Sequence, residues 1–308
     1  MSLSNPKEMY RNAIEGHYAL GAFNVFSLES IQAVLDAAEN QKSPVILQVS
    51  MGARKYVKDF HLFVHTMKNY ADHCAVPVFI QHDHCTTEEA CFEAIDAGVQ
   101  SVMFDGSHLA YDDNLKKTSE VVAYAHKRGV WVEAELGRIP GFEDLVFAES
   151  DEYTDPEMAH GFIAATGCDA LAVSVGTSHG GVEAEGYLPM QFDLLRQIVS
   201  LTPDYPFVLH GGASLPPELI AECNKVGGKV EYLRNCSEKD VSMAVDIGIH
   251  KVNMDVDNFL VFTTAIRKFF LEKPSIYDPR KYLVGARAAF QAEVEHKFQD
   301  VLHSAGRR

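Results

Sequence analysis

Positive charge is scarce in this chain. Lys and Arg number 27 against 43 Asp and Glu, a formal net charge of −16. Nucleic acids and anionic membrane surfaces select basic patches, so neither is an expected partner. An anionic substrate is also disfavoured unless local cations or a metal reverse the field. No apolar run reaches the roughly 18–20 residues that span a bilayer, and the first residues lack a signal-peptide core. The six cysteines (Cys74, Cys85, Cys91, Cys168, Cys223, Cys236) stand singly, without a C-x-x-C pair. They read as reduced thiols in a cytoplasmic protein, with no disulfide framework. Dinucleotide (G-x-G-x-x-G) and Walker loops are missing after every strand-like run, and no H-E-x-x-H helix is present. Nor does any low-complexity segment or linker divide the 308 residues.

What is present is a repeated alternation. Apolar strand-like runs occur at 21–25, 45–49, 77–84, 101–105, 130–135, 168–175, 206–210 and 249–253. Between them lie helical patterns near 6–15, 60–74, 88–97, 112–127, 191–199 and 238–247, and two more near 257–271 and 279–303 end the chain. Residues 137–151 read as a long mobile loop. Eight strands alternating with helices predict an α/β fold, a parallel (β/α)8 TIM barrel forming one domain over 1–308, with a C-terminal helical extension over about 257–308. An open doubly wound sheet is the competing architecture, disfavoured by the missing nucleotide loops.

Polar chemistry gathers where these runs stop. Asn24, Asp83, His84, Asp105, Glu135, His179, His210, Asn253 and Asp255 lie at or just past the C-terminal ends of strands, which a barrel brings into one ring. Polar residues merely following apolar strands would include Ser, Asn and Lys as readily; three ends carrying His are harder to explain that way. Three neutral imidazoles, His84, His179 and His210, form the ligand set of a zinc site with one position open. Period two places His82 on the same strand face as His84, so the pattern alone does not say which of them ligates. Asp83 is the carboxylate best placed for proton transfer. Asp105 and Glu135 could hold a second divalent cation, orient the imidazoles, or be structural. Glu143, on the loop after the fifth strand, could swing in as an acid/base or be an ordinary loop glutamate. Backbone amides of Gly180, Gly181, Gly211 and Gly212 could cradle an anion.

Several blocks together carry a resemblance. Gly21-Ala22-Phe23-Asn24-Val25, Asp83-His84, Ser101 to His108, Val132 to Gly137, Ala170 to Gly180, His210-Gly211-Gly212, Lys251 to Asp255 and Asp278-Pro279-Arg280 resemble, in order, the class II aldolases. That family includes the fructose- and tagatose-bisphosphate aldolases. The resemblance implies a lyase in which zinc polarises a ketose carbonyl while retro-aldol chemistry breaks C3–C4 and leaves an enediolate. It implies His84, His179 and His210 as ligands, Asp83 for the proton on the C4 oxygen, and Glu143 for the proton on the enediolate carbon. Asp105 and Glu135 match a second cation site, and Asn24, Asn253 and Asp255 match substrate-binding positions. Gly180 and Gly211 match a loop holding a monovalent cation and phosphate. Arg280 resembles the arginine that reaches a neighbouring subunit's distal phosphate, so a homodimer or homotetramer is expected, with a small sugar or sugar phosphate as partner.

The chain departs from the family where phosphate would bind. After His179-Gly180 the family has an aromatic and a lysine, and here Gly181-Val182-Glu183 follows. Ala213 replaces a phosphate-binding serine, although Ser214 follows. Val256 replaces a hydroxyl residue, and Phe259 a common arginine. Three readings remain open. One is an ordinary ketose-bisphosphate aldolase; another applies the same mechanism to a ketose without the phosphate beside the enediolate. The third is a catalytically weak, zinc-binding paralogue, against which the intact Asp83 and Glu143 argue.

Overall fold

A computed structural model describes residues 3–143, 146–148, 152–180, 182–183, 189–231 and 233–308; side chains at 142–143, 146–148, 182–183 and 233–234 lie outside the description. Eight strands close into a barrel: β1 (Leu20–Asn24), β2 (Val45–Val49), β3 (Val78–Cys85), β4 (Ser101–Phe104), β5 (Trp131–Leu136), β6 (Ala170–Val173), β7 (Phe207–Leu209) and β8 (Ile249–Met254). Every neighbouring pair is parallel, with β8 completing the circle against β1. The expected (β/α)8 barrel is therefore observed. Its strands are buried on both faces, which is why they read as near-continuous apolar runs.

Two apolar layers sit on either side of the strands. Leu20, Ala22, Ile46, Phe79, Met103, Ala170, Ala172 and Val208 fill the lower pore. The opening helix, Pro6–Gly16, closes that end with Met9, Tyr10 and Ala13. Tyr10 stacks on Trp131 at 5.3 Å. Outside the strands, the helices pack a larger shell that includes Phe290, Val294 and Phe298 from the chain's end. Because the lower pore is plugged by side chains, only the C-terminal rim is left for chemistry.

Two segments differ from the sequence expectation. Ahead of the helix Phe60–Ala71 lies a separate short helix, Met51–Val57, capped by Ser50. Within 137–151, expected to be a long mobile loop, Gly141–Glu143 pairs antiparallel with Val146–Ala148. Among the described residues no helix is long and apolar enough to cross a membrane.

Candidate active site and metal centre

The tip of β3 is irregular. His82 aligns with Val102 and Cys85 with Phe104, so three steps on β3 oppose two on β4. One extra residue is accommodated there, and His84 takes a positive φ of 47°. Such a bulge reverses side-chain parity. Asp83 and His84 consequently both face the rim, whereas His82 turns outward, its ring edge-on to Phe60 at 4.9 Å and its Nδ1 3.0 Å from Cys85 Sγ. The shared face inferred for His82 and His84 does not exist, and His84 is the imidazole that joins the ring.

His84, His179 and His210 converge, each buried, with ligand atoms within 4.8 Å of one another. The His84 and His210 ring centroids are 4.6 Å apart, and His84 Nε2 faces His210 Nδ1 at 2.9 Å. Carboxylates hold the opposite nitrogens: Asp105 Oδ2 lies 3.1 Å from His84 Nδ1, and Glu133 Oε1 lies 2.8 Å from His210 Nε2. That arrangement fixes ring orientation and tautomer, leaving one nitrogen of each pointing at a common space. Three imidazoles, two of them with carboxylate-backed far edges, are the donor set of a divalent metal with an open position, so the residues fit such an ion. Glu135 and Asp105 form a second group with His84 within the same reach.

Backbone geometry sets this convergence. A Cβ on Gly211, whose φ is +61°, would lie 2.4 Å from the Ser178 carbonyl oxygen, so only glycine lets the loops after β6 and β7 approach. Gly141 similarly presses on His179, whose amide donates to the Pro140 carbonyl at 2.8 Å.

Asp83 lies fully buried, with Oδ2 3.7 Å from His84 Nε2. The amides of Gln48 and Asn253 donate to that same oxygen at 2.9 and 3.1 Å. One step down the pore, Lys251 Nζ is 2.7 Å from Glu133 Oε2 and 4.0 Å from Asp83 Oδ1, while Gln81 donates to Glu133 at 3.0 Å. Burial pushes the Glu133 carboxyl pKa up, but Lys251 and His210 outweigh it and hold it well below the usual range. Burial raises Asp105 as well, and the His84 and Ser107 contacts outweigh that and lower it. His210 is lowered by burial. Glu133, Lys251, Gln48 and Gln81 were given no role in the sequence, although Glu133, Lys251 and Gln81 each lie at period two below a rim residue.

The remaining expected residues are placed as follows. Asn24 and Asp255 meet at 3.5 Å beside Asp83, with Gln48 bridging to Asn24 at 3.1 Å. Gly212 donates to the Asn253 carbonyl at 3.2 Å, joining β7 to β8 at the rim. Gly180 has φ +64° beside His179. Ala213 and Ser214 are buried next to the glycine turn, and Val256 begins the helix Val256–Glu272. Arg280 is on the surface, its side chain 88% exposed and bound to Asp278 at 2.9 Å. Gly181 and the side chains of Glu143 and Glu183 lie outside the described residues.

Comparison with known proteins agrees with this geometry. A family profile described as "Fructose-bisphosphate aldolase class-II" matches residues 4–307. A fructose-bisphosphate aldolase from Treponema pallidum is 40% identical over 325 residues, covering 100% of this chain and 98% of that protein. One from Geobacillus stearothermophilus is 40% identical, covering 97% of each. Among solved structures, the YdjI aldolase of Escherichia coli K12 superposes with a TM-score of 0.77 at 28% identity, covering 99% of this chain and 98% of that one. The chain thus belongs to the class II fructose-bisphosphate aldolase family, and it is a lyase of the metal-dependent kind.

Proposed function

We propose that the chain is a zinc-dependent aldolase that reversibly cleaves a ketose between C3 and C4 to a dihydroxyacetone-type product and an aldehyde. The observation that carries this reading is the meeting of His84, His179 and His210 beside Asp83. These imidazoles would hold the zinc, which when bound polarises the ketose carbonyl and offsets the negative charge that develops on its oxygen. Asp83 accepts the C4 hydroxyl proton, its carboxylate held in place by Gln48 and Asn253. As C3–C4 breaks, C4 becomes the aldehyde carbonyl carbon and the electron pair stays on C3. Glu143 then delivers a proton to C3, and it removes that proton in the synthetic direction.

Asn24, Asn253 and Asp255 orient substrate hydroxyls. Asp105 and Glu135 position His84 or take a second divalent cation. Amides of Gly180, Gly181 and Gly211, with Ala213, Ser214, Val256 and a monovalent cation, line the end of the ketose nearest the glycine turns, while the Gly212 amide is engaged by the Asn253 carbonyl. Arg280 would reach the substrate of a neighbouring subunit in a cytoplasmic homodimer or homotetramer; its exposed guanidinium supports this.

The names of the relatives make fructose bisphosphate the first substrate to test. Val256, Ala213, Phe259 and the Gly181-Val182-Glu183 run favour a ketose lacking the phosphate beside the enediolate. Charge-assisted hydrogen bonds contribute about 1.5–3 kcal/mol each, so losing several costs orders of magnitude in affinity. Steady-state cleavage of fructose and tagatose bisphosphates beside the free ketoses decides between them. Whichever ketose is cleaved, Asp83→Asn is expected to lower kcat by about 10²–10⁴-fold. Unchanged kcat in that variant rules Asp83 out of the proton transfer.

A further inference from the structure

The reaction leaves His82, Cys85 and Cys91 without a part, and the fold brings these three together. Cys85, at the end of β3, belongs to the shell between barrel and helices, the side to which His82 also turns. Its Sγ lies 3.0 Å from His82 Nδ1. Cys91, on the helix Glu88–Ala97, donates its thiol hydrogen to Cys85. The Cys91 sulfur is also 3.8 Å from the carbonyl oxygen of Met103, the residue before the Phe104 that pairs with Cys85. Both thiols therefore share one niche between β3, β4 and that helix. All three residues are fully buried, the cysteines are free, and His82 Nε2 has no hydrogen-bond partner.

A surface cavity of about 850 Å³ lies over this niche, with Arg54, Phe60, Thr87 and Ala90 in its wall. Phe60 is the ring that meets His82 edge-on at 4.9 Å, and Ala90 precedes Cys91. Arg54 donates to the Ala90 carbonyl at 3.4 Å and lies 4.9 Å from the centre of the Phe60 ring. Phe60 and Arg54 thus partition solvent from the thiols. Arg54 sits on a helix with no fully buried side chain, and Phe60 is the first residue of its helix. Local opening of so light a partition admits a molecule of about the size of water.

We infer that Cys85 and Cys91 form a peroxide-sensitive pair that closes to a disulfide and thereby loosens the metal site. Cys85 sulfur attacks one oxygen of hydrogen peroxide and the O–O bond breaks. The thiol's proton passes by way of His82 to the departing hydroxide, giving sulfenic acid and water. Cys91 sulfur then attacks the sulfenic sulfur, the S–O bond breaks, and its proton leaves with that hydroxide as a second water. Two thiols are oxidised and one peroxide is reduced.

Cys85 is tied to the metal ring twice. It follows His84, whose positive φ belongs to the bulge, and its carbonyl accepts from the Asp105 amide at 2.8 Å. Asp105 in turn holds His84 Nδ1. A disulfide brings its sulfurs to about 2 Å, well inside the contact distance of two thiols. Closure therefore draws Cys85 toward the helix and pulls on both links to His84. The consequence for the metal rests on the aldolase reading, whereas formation of the bond does not.

The test exposes zinc-loaded protein to hydrogen peroxide and maps disulfides after cleavage at Glu88 and Glu89, which lie between the two cysteines. A Cys85–Cys91 bond that dithiothreitol reverses is expected. Competition with a chromogenic chelator should show zinc affinity lowered by about 10–100-fold while the bond is present. Cys91→Ala is expected to keep the parent's zinc affinity through the same exposure, with Cys85 labelled by dimedone as a sulfenic acid.

Absence of the bond overturns the inference and leaves the aldolase reading intact. A bond that leaves zinc affinity unchanged, or equal zinc loss in Cys91→Ala, does the same. A parent protein that holds no zinc before exposure overturns the metal-site reading and, with it, the coupling.

Discussion

Lys251 has no exposed side-chain surface, yet its ammonium lies between two carboxylates, 2.7 Å from Glu133 and 4.0 Å from Asp83. A cation in the pore compensates the charge that these carboxylates would otherwise carry there alone. It also keeps Glu133 ionised, so that Glu133 can hold the far nitrogen of His210. Removing one partner of such a buried group is costly because the other charge is stranded. Lys251→Met is therefore expected to destabilise the metal-free protein by about 3–5 kcal/mol in urea unfolding. Adding Glu133→Gln should restore part of the loss. A Lys251→Met protein as stable as its parent would show that Lys251 does not compensate the Glu133 charge. The rim residues were legible in the sequence because a polar residue ending an apolar run stands out. Lys251, Glu133, Gln81 and Gln48 were not, because a lone polar residue inside a strand has the same pattern whether it faces solvent or a polar pore. Only closure of the barrel brings Gln48, Gln81 and Lys251 within hydrogen-bonding range of Asp83 or Glu133.

Local backbone geometry decides what period-two reasoning cannot. Alternation put His82 and His84 on one face of β3, and a single inserted residue at the strand tip separates them. The bulge has no glycine to announce it, since His84 itself takes the positive φ. The helix Met51–Val57 escaped notice for a different reason: none of its side chains is fully buried, and only Met51, Ala53 and Val57 pack part-buried on the core. Helices that line the core were read closely; Glu88–Ala97, capped by Thr87 and stopped by Gly98, matches its expected bounds.

At the end of the chain, one polar cluster anchors the last helix. Lys297 is buried, 3.0 Å from Asp257 and 2.9 Å from Glu293, and His296 bonds Glu238 and Asp300 at 3.0 and 2.8 Å. The Glu238 hydrogen bond is the largest influence on His296 and raises its pKa from 6.5 to about 9. A raised folded-state pKa means that protonation favours the folded chain. The contribution is complete below pH 6.5 and is lost as pH rises toward about 9. The melting temperature of the parent protein should therefore fall between these values relative to His296→Gln. Parallel melting curves across that window would show that the ion pair does not form. Glu238 has the opposite linkage: His296 helps to hold it at about 2, so its contribution is complete above pH 4.5 and is lost as pH falls toward about 2.

For the whole molecule, architecture and charge act together. The plugged lower pore confines chemistry to one rim, and the parallel closure brings side chains as distant in sequence as His84 and His210 to 2.9 Å. The net charge of −16 surrounds that rim with a field unfavourable to anions. Raising ionic strength from about 0.01 to 0.15 M shortens the Debye length from about 30 to 8 Å. The kcat/KM of a phosphorylated ketose should consequently rise with salt, while that of a free ketose stays flat. Equal salt dependence for both would mean that local groups, not the overall charge, govern approach. If the three converging imidazoles hold the metal on which cleavage depends, quantifying metal in the purified protein and following ketose cleavage through chelation and zinc return will show it. About one catalytic zinc per chain is expected, with activity lost with the metal and restored with it, and neither retained in His84→Ala. Full activity in metal-free protein would contradict it.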